Sequence, residues 1–209
     1  MSYMTMTMFA PRIWGFDLNS PQARVARQAG WSRADILWEG LMEKANAAWV
    51  DGARPRAGQL FRRASWVTRL CFARDDLRRA TVLANLGIMA RATGQGPRAA
   101  ACFAKAAAQW DACAEVSVAE MQIAPRARSS LFHLRMEARH RDTYHDNMRL
   151  RLGKIAAEMR AALEAMAKGE KPGCRLYARW RGERPNVYDD TRKVLGACLL
   201  IIDAEPDQA

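Results

Sequence analysis

A frame of four residues occurs twice in this chain at identical offsets. Gly52, Ala57, Phe61 and Ala64 form the first copy, and Gly94, Ala99, Phe103 and Ala106 the second, each reading G-x4-A-x3-F-x2-A. In a helix the Ala-Phe-Ala set recurs every three or four residues and shares one face. The glycine ahead of it suits the left-handed residue that ends a preceding helix. Two helices joined by a tight turn, laid down twice, is the arrangement this spacing predicts. The expected fold class is all-α, built of stacked antiparallel helix hairpins.

The punctuation around the two frames agrees with that reading. Ser20-Pro21 is an N-cap followed by proline in the first turn, and predicts a short helix to Gln28, stopped near Gly30. Ser32 with Asp35 three residues on predicts a capped helix start. Its apolar positions Ile36, Leu37, Leu41, Ala45, Ala48 and Trp49 run to Asp51-Gly52. Pro55 starts the next helix, whose apolar positions are read as Leu60, Phe61, Ala64, Trp66, Val67, Leu70 and Phe72. Asp75 and Asp76 open a third helix, where acids suit the amino-terminal dipole. Gly94 and Gly96 break it, and Pro97 starts a fourth that carries Cys102, Phe103, Trp110 and Cys113.

This pattern resembles the tetratricopeptide repeat. The better copy runs from Ala80 to Cys113, with Leu86-Gly87 matching the family's Leu-Gly and Ala99, Phe103 and Ala106 its small-aromatic-small set. The earlier copy, Trp38 to about Cys71, has Ala45, Gly52, Ala57, Phe61 and Ala64 in place but Lys44 where leucine is expected. The two phenylalanines are 42 residues apart, so the first pair must carry a longer second helix or an extended link. Together the copies cover a little over a third of the chain. The resemblance implies a TPR-like superhelix with a groove, lined by first helices, that holds a protein or peptide. Asn85 matches the asparagine with which some members grip a terminal carboxylate. The corresponding residue of the earlier copy is Glu43, an acid that would repel one.

Three regions are expected. Residues 1–31 form an extended N-terminal arm and a short helix; 32–168 form the TPR-like domain; 169–209 form a basic, aromatic segment and a final helix over Thr191 to Ile202. Ser129 to Lys168 reads as helical, interrupted at Asp146-Asn147 or at Gly153, and serves either as a third helix pair or as one long capping helix.

Charge and composition bound the chemistry. The net charge is +11, with acids such as Glu39 and Glu43 interleaved, so it spreads over helix faces while still favouring an acidic partner. Five cysteines at 71, 102, 113, 174 and 198 show no C-x-x-C spacing, and predict buried thiols in a reducing, cytoplasmic setting. No apolar run is long enough to span a bilayer. No G-x-S-x-G, phosphate loop or dinucleotide motif occurs, and no cofactor is expected.

The expected function is a non-enzymatic scaffold or adaptor for a partner protein. Its groove would be lined by Glu43, Asn46, Asn85 and Met89, continued by Arg135, Arg139 and His140 if a third pair exists. Two alternatives stay open. Arg175, Tyr177, Arg179, Trp180 and Arg181 form a basic-aromatic patch of the kind that stacks bases and neutralises phosphates. His133, Glu137 and His140 share a helix face and could centre a metal-dependent helical enzyme, but the second Glu-x-x-His of a di-metal bundle is missing.

Overall fold

The computed structural model describes residues 18–112, 146, 147, 149–170, 188, 193, 196 and 197 with their side chains, and 12, 13, 16, 17, 113–119, 131–145 and 148 by backbone alone. Among the described residues the chain is helical. The helices are α1 (Pro21–Gln28), α2 (Arg33–Val50), α3 (Arg54–Cys71), α4 (Leu77–Ala92), α5 (Gly96–Ala119) and α6 (Leu131–Ala167). Ahead of them β1 (Arg12–Ile13) pairs antiparallel with β2 (Phe16–Asp17), Ile13 opposite Phe16. The extended arm is therefore, at this point, a minimal hairpin.

The helix boundaries follow the caps. Ser20 Oγ accepts from Ala23 N. Ser32 Oγ accepts from Asp35 N at 3.1 Å while Asp35 Oδ2 accepts from Ser32 N at 2.8 Å, satisfying two end donors reciprocally. Asp76 caps α4 through Arg78 N. The two hairpin turns are built alike. Gly52 has φ 75° and Gly94 φ 74°, a backbone region that side chains rarely enter. At the first turn Ala53 N donates to Ala48 O, and at the second Gln95 N donates to Ala90 O, both at 2.8 Å. The glycine N–H groups donate to Trp49 O and Arg91 O in turn. This paired closure absorbs carbonyls that the helix end would otherwise leave unmet.

Packing runs in sequence order: α1 against α2, α2 on α3, α3 on α4, α4 on α5 and α5 on α6. Helices that pack along their length across so short a turn must reverse direction, so α2–α3 and α4–α5 are hairpins. Phe61 and Phe103 are both buried, as are Ala57, Ala64, Ala99 and Ala106 of the two frames. The close approach of α4 and α5 depends on Gly87. A Cβ there would lie 2.7 Å from Phe103 Cε1 and 3.1 Å from Cys102 Cβ. The 42-residue spacing of the phenylalanines is absorbed by the 18 residues of α3 and by the link 72–76 that follows it.

The structure decides one expectation and corrects two. Of the two arrangements open for this stretch the single long helix is the one found: α6 is one continuous helix of 37 residues, so neither Asp146-Asn147 nor Gly153 breaks it, and no third hairpin forms within 131–167. Its inner face, including Leu152, Ile155, Met159, Leu163 and Met166, is buried, and burying so many large apolar groups outweighs one interior glycine. Trp110 of α5 locks the contact by donating from Nε1 to Ala156 O at 3.1 Å. Second, Trp66 and Leu70 are not core residues: they are 57% and 75% exposed, on the side of α3 opposite Phe61. Third, Cys71 is an exposed thiol, while Cys102 is half-buried; Cys113, Cys174 and Cys198 lie outside the described side chains.

Gly153 provides a clean test of α6. An added Cβ would meet nothing within 4 Å. Gly153→Ala should therefore stabilise the protein by roughly 0.5–1 kcal/mol, through helix propensity alone. Urea unfolding would read this as a raised midpoint with an unchanged slope.

Candidate functional site

The groove was expected on a face shared by α2 and α4, and the structure places the expected residues unevenly along those helices. Glu43 and Met89 are half-buried, Asn46 is 6% exposed, and Asn85 has no exposed surface. Met89 leans over α3, where a Cβ on Gly58 would lie 2.7 Å from its Cε. Asn46 Oδ1 is buried without a hydrogen-bond partner, which is costly for an amide oxygen away from water. Arg135, Arg139 and His140, like His133 and Glu137, belong to the first half of α6, where the backbone alone is described. The patch Arg175, Tyr177, Arg179, Trp180 and Arg181 lies outside the described residues. Among the described residues no cluster of His, Cys, Asp or Glu could hold a metal ion, and no helix is long and apolar enough to cross a membrane.

The amino-terminal half of the α2–α4 face is covered by the chain's own C-terminal residues. Thr81 Oγ1 donates to the backbone carbonyl of Ala197. Gly196 lies beside Trp38, where an added Cβ would stand at ordinary contact distance, 3.5 Å from Cζ3. The Tyr188 ring meets Trp31 edge-on, with centroids 5.0 Å apart, and Lys193 Nζ lies 5.8 Å from the same indole. Residues 193, 196 and 197 are helical, and Ala197 is 1% exposed. Thr81 and Trp38 thus meet the backbone at 196 and 197, while Trp31 meets the side chains of Tyr188 and Lys193.

Under this face lies a buried charge network that joins the two hairpins. Arg78, in the first turn of α4, donates from Nη1 to Asp35 Oδ1 at 2.5 Å. Its other edge grips Asp76, with Nε to Oδ1 at 2.9 Å and Nη2 to Oδ2 at 2.6 Å. The guanidinium carbon lies 3.5 Å from the Phe72 ring centroid and 5.6 Å from that of Trp38. Burial alone would raise the Asp35 pKa, but the charge of Arg78 and hydrogen bonds from Arg78 and Ser32 outweigh it and hold the carboxyl below its ordinary value. Burial likewise opposes the Arg78 charge, and the two carboxylates outweigh it, so that side chain stays cationic. The network's part in the fold was not legible locally, because Asp35 and Arg78 are 43 residues apart. The one available signal was an arginine inside the apolar stripe that opens α4.

Compared with family models, with curated proteins and with solved structures, the chain matches none. The class of protein that fold and site define is therefore argued from the molecule itself: an all-α chain of two glycine-turned hairpins backed by a long helix.

Proposed function

We propose that the chain is a non-enzymatic scaffold of the tetratricopeptide kind, which binds a protein or peptide segment on the face of α2 and α4. The observation that carries this reading is the cis occupancy of that face by residues around Ala197. Thr81 bonds a main-chain carbonyl, a contact that any peptide can offer. Trp31 and Trp38 supply broad, rigid surface beside it, and tryptophan is enriched among the residues that anchor interfaces.

The test uses the full chain carrying Ala197→Arg. An arginine does not fit a position that is 1% exposed, so the tethered segment should leave the face. A fluorescent synthetic peptide of residues 186–202 should then bind in trans at least about tenfold tighter than to the unsubstituted chain, whose own segment competes at about millimolar effective concentration. Anisotropy reads the binding, and far-UV circular dichroism checks that the helices persist. If the folded variant binds the peptide no better than the parent, the face is a packing surface and the scaffold reading fails.

A further inference from the structure

A second surface, on the outward side of α3, combines exposed apolar and cationic side chains. The sequence of α3 contains five arginines and no aspartate or glutamate. At 100° per residue, Gln59, Arg62, Arg63, Trp66, Arg69 and Leu70 all fall within about 60° of the Trp66 direction. All six are exposed, and Trp66 and Leu70 are the most exposed large apolar side chains of the helix, at 57% and 75%. The opposite face, with Ala57, Phe61, Ala64 and Val67, is buried in the core. The apolar packing that holds α3 against the core is therefore on the side away from this stripe.

The chemistry of the stripe is specific. Trp66 and Leu70 are one turn apart and form an apolar centre, with Arg62, Arg63 and Arg69 around it. The helix end beside Leu70 is made more cationic by Arg79 of α4. Its guanidinium donates to the carbonyls of Thr68, Arg69 and Phe72 at 3.1–3.2 Å and covers the partial negative charge of the helix terminus. We propose that this outward face of α3 docks an acidic amphipathic helix of a partner protein.

Charge complementarity selects the occupant. A second copy of this chain would bring the same arginines against these, which repel. A nucleic acid would satisfy the arginines but leave Leu70 with no apolar surface to meet. A bilayer rewards buried apolar area, and two side chains on one turn provide little of it. A helix with bulky apolar residues at i and i+4, flanked by glutamates, matches both parts of the stripe at once. Tryptophan and arginine are the residues most enriched where truncation weakens an interface. This surface is separate from the α2–α4 face and does not rest on the function proposed for it.

The probe is a labelled helical peptide with leucines at i and i+4 among glutamates, and its control is a scrambled peptide of the same composition. With the full chain at low salt, the ordered peptide should bind at least about tenfold tighter than the scrambled one. Trp66→Ala should weaken the ordered peptide about tenfold or more, and Arg62→Glu with Arg69→Glu should abolish its binding. Ala197→Arg should leave it unchanged, so failure here is distinct from failure of the α2–α4 face. Because Trp66, Arg62 and Arg69 are exposed, these variants keep the fold. Equal binding of ordered and scrambled peptides, or no effect of Trp66→Ala, would overturn the proposal. So would tighter, Trp66-dependent binding of single-stranded RNA or of phosphatidylserine vesicles.

Discussion

Replacing Arg78 with alanine should cost roughly 3–5 kcal/mol of folding stability, the range for a buried ion pair that loses one partner. The cost arises mainly from what is left behind. Asp35 would stay buried between α2 and α4 with only Ser32 to hydrogen-bond it. Asp76 would keep its capping bond to the backbone of residue 78 but lose both bonds to the guanidinium. Phe72 would lose the cation stacked on its ring. Urea unfolding followed by circular dichroism measures the loss, and a value below about 1 kcal/mol would place the pair with solvent-screened surface bridges. Asp35→Asn combined with Arg78→Met should recover part of the stability, because the more deeply buried carboxylate is gone and the amide oxygen can still accept from Ser32 N, while the less buried Asp76 keeps only its bond to the backbone of residue 78.

The same network gives a pH signature whose sign reverses in the variant. In the parent chain the folded-state pKa of Asp35 is depressed. Its contribution is then complete above the unfolded value, about 3.9, and is lost as pH falls through the lower folded value. Without Arg78, burial remains as the dominant influence and the carboxyl pKa moves above its unfolded value. The folded variant then holds the proton more tightly than the unfolded chain, and its penalty grows as pH rises above about 4. The stability gap between parent and Arg78→Ala should therefore narrow as pH is lowered from 7 towards 4. A gap that stays constant over that interval would mean that burial does not raise the Asp35 pKa above its unfolded value once Arg78 is gone.

How far the sequence could be read depended on the range of each interaction. Caps and turns are local: Ser20, Ser32, Asp76, Gly52 and Gly94 each perform the bonding their residue type predicts within a few residues. The burial of Phe61 and Phe103 was legible because their helical spacing from small residues repeats. Phase, not composition, separates Trp66 and Leu70 from the core. They lie on the side of α3 away from Phe61 and Ala64, and stricter use of the 100° period would have shown it. The sequence left α6 open between a third helix pair and one long helix, because a glycine and an Asp-Asn pair weaken a helix by local measures, whereas the α5 surface that compensates for them is remote in sequence. The groove residues were chosen by position in a repeat, and nothing local announces that Thr81 and Trp38 meet residues near 197.

Phe103→Ala should be as damaging as loss of Arg78, at roughly 3–5 kcal/mol, since it deletes a ring that is 1% exposed and leaves a cavity between α4 and α5. The more discriminating experiment is on the residue that faces it. In an open helix position Gly→Ala is stabilising, as expected for Gly153. At Gly87 the added methyl would come within 2.7 Å and 2.9 Å of two Phe103 ring carbons, with Cys102 Cβ closing the other side at 3.1 Å. Gly87→Ala should therefore destabilise by about 1–3 kcal/mol, with the gain in helix propensity overridden by overpacking. Trimming the ring should relieve the clash, so Gly87→Ala with Phe103→Leu should lose less than the sum of the two single changes. Additive losses, or a stabilising Gly87→Ala, would mean that α4 and α5 are free to separate. The shared spacing of glycine, alanine and phenylalanine would then no longer explain why these hairpins close.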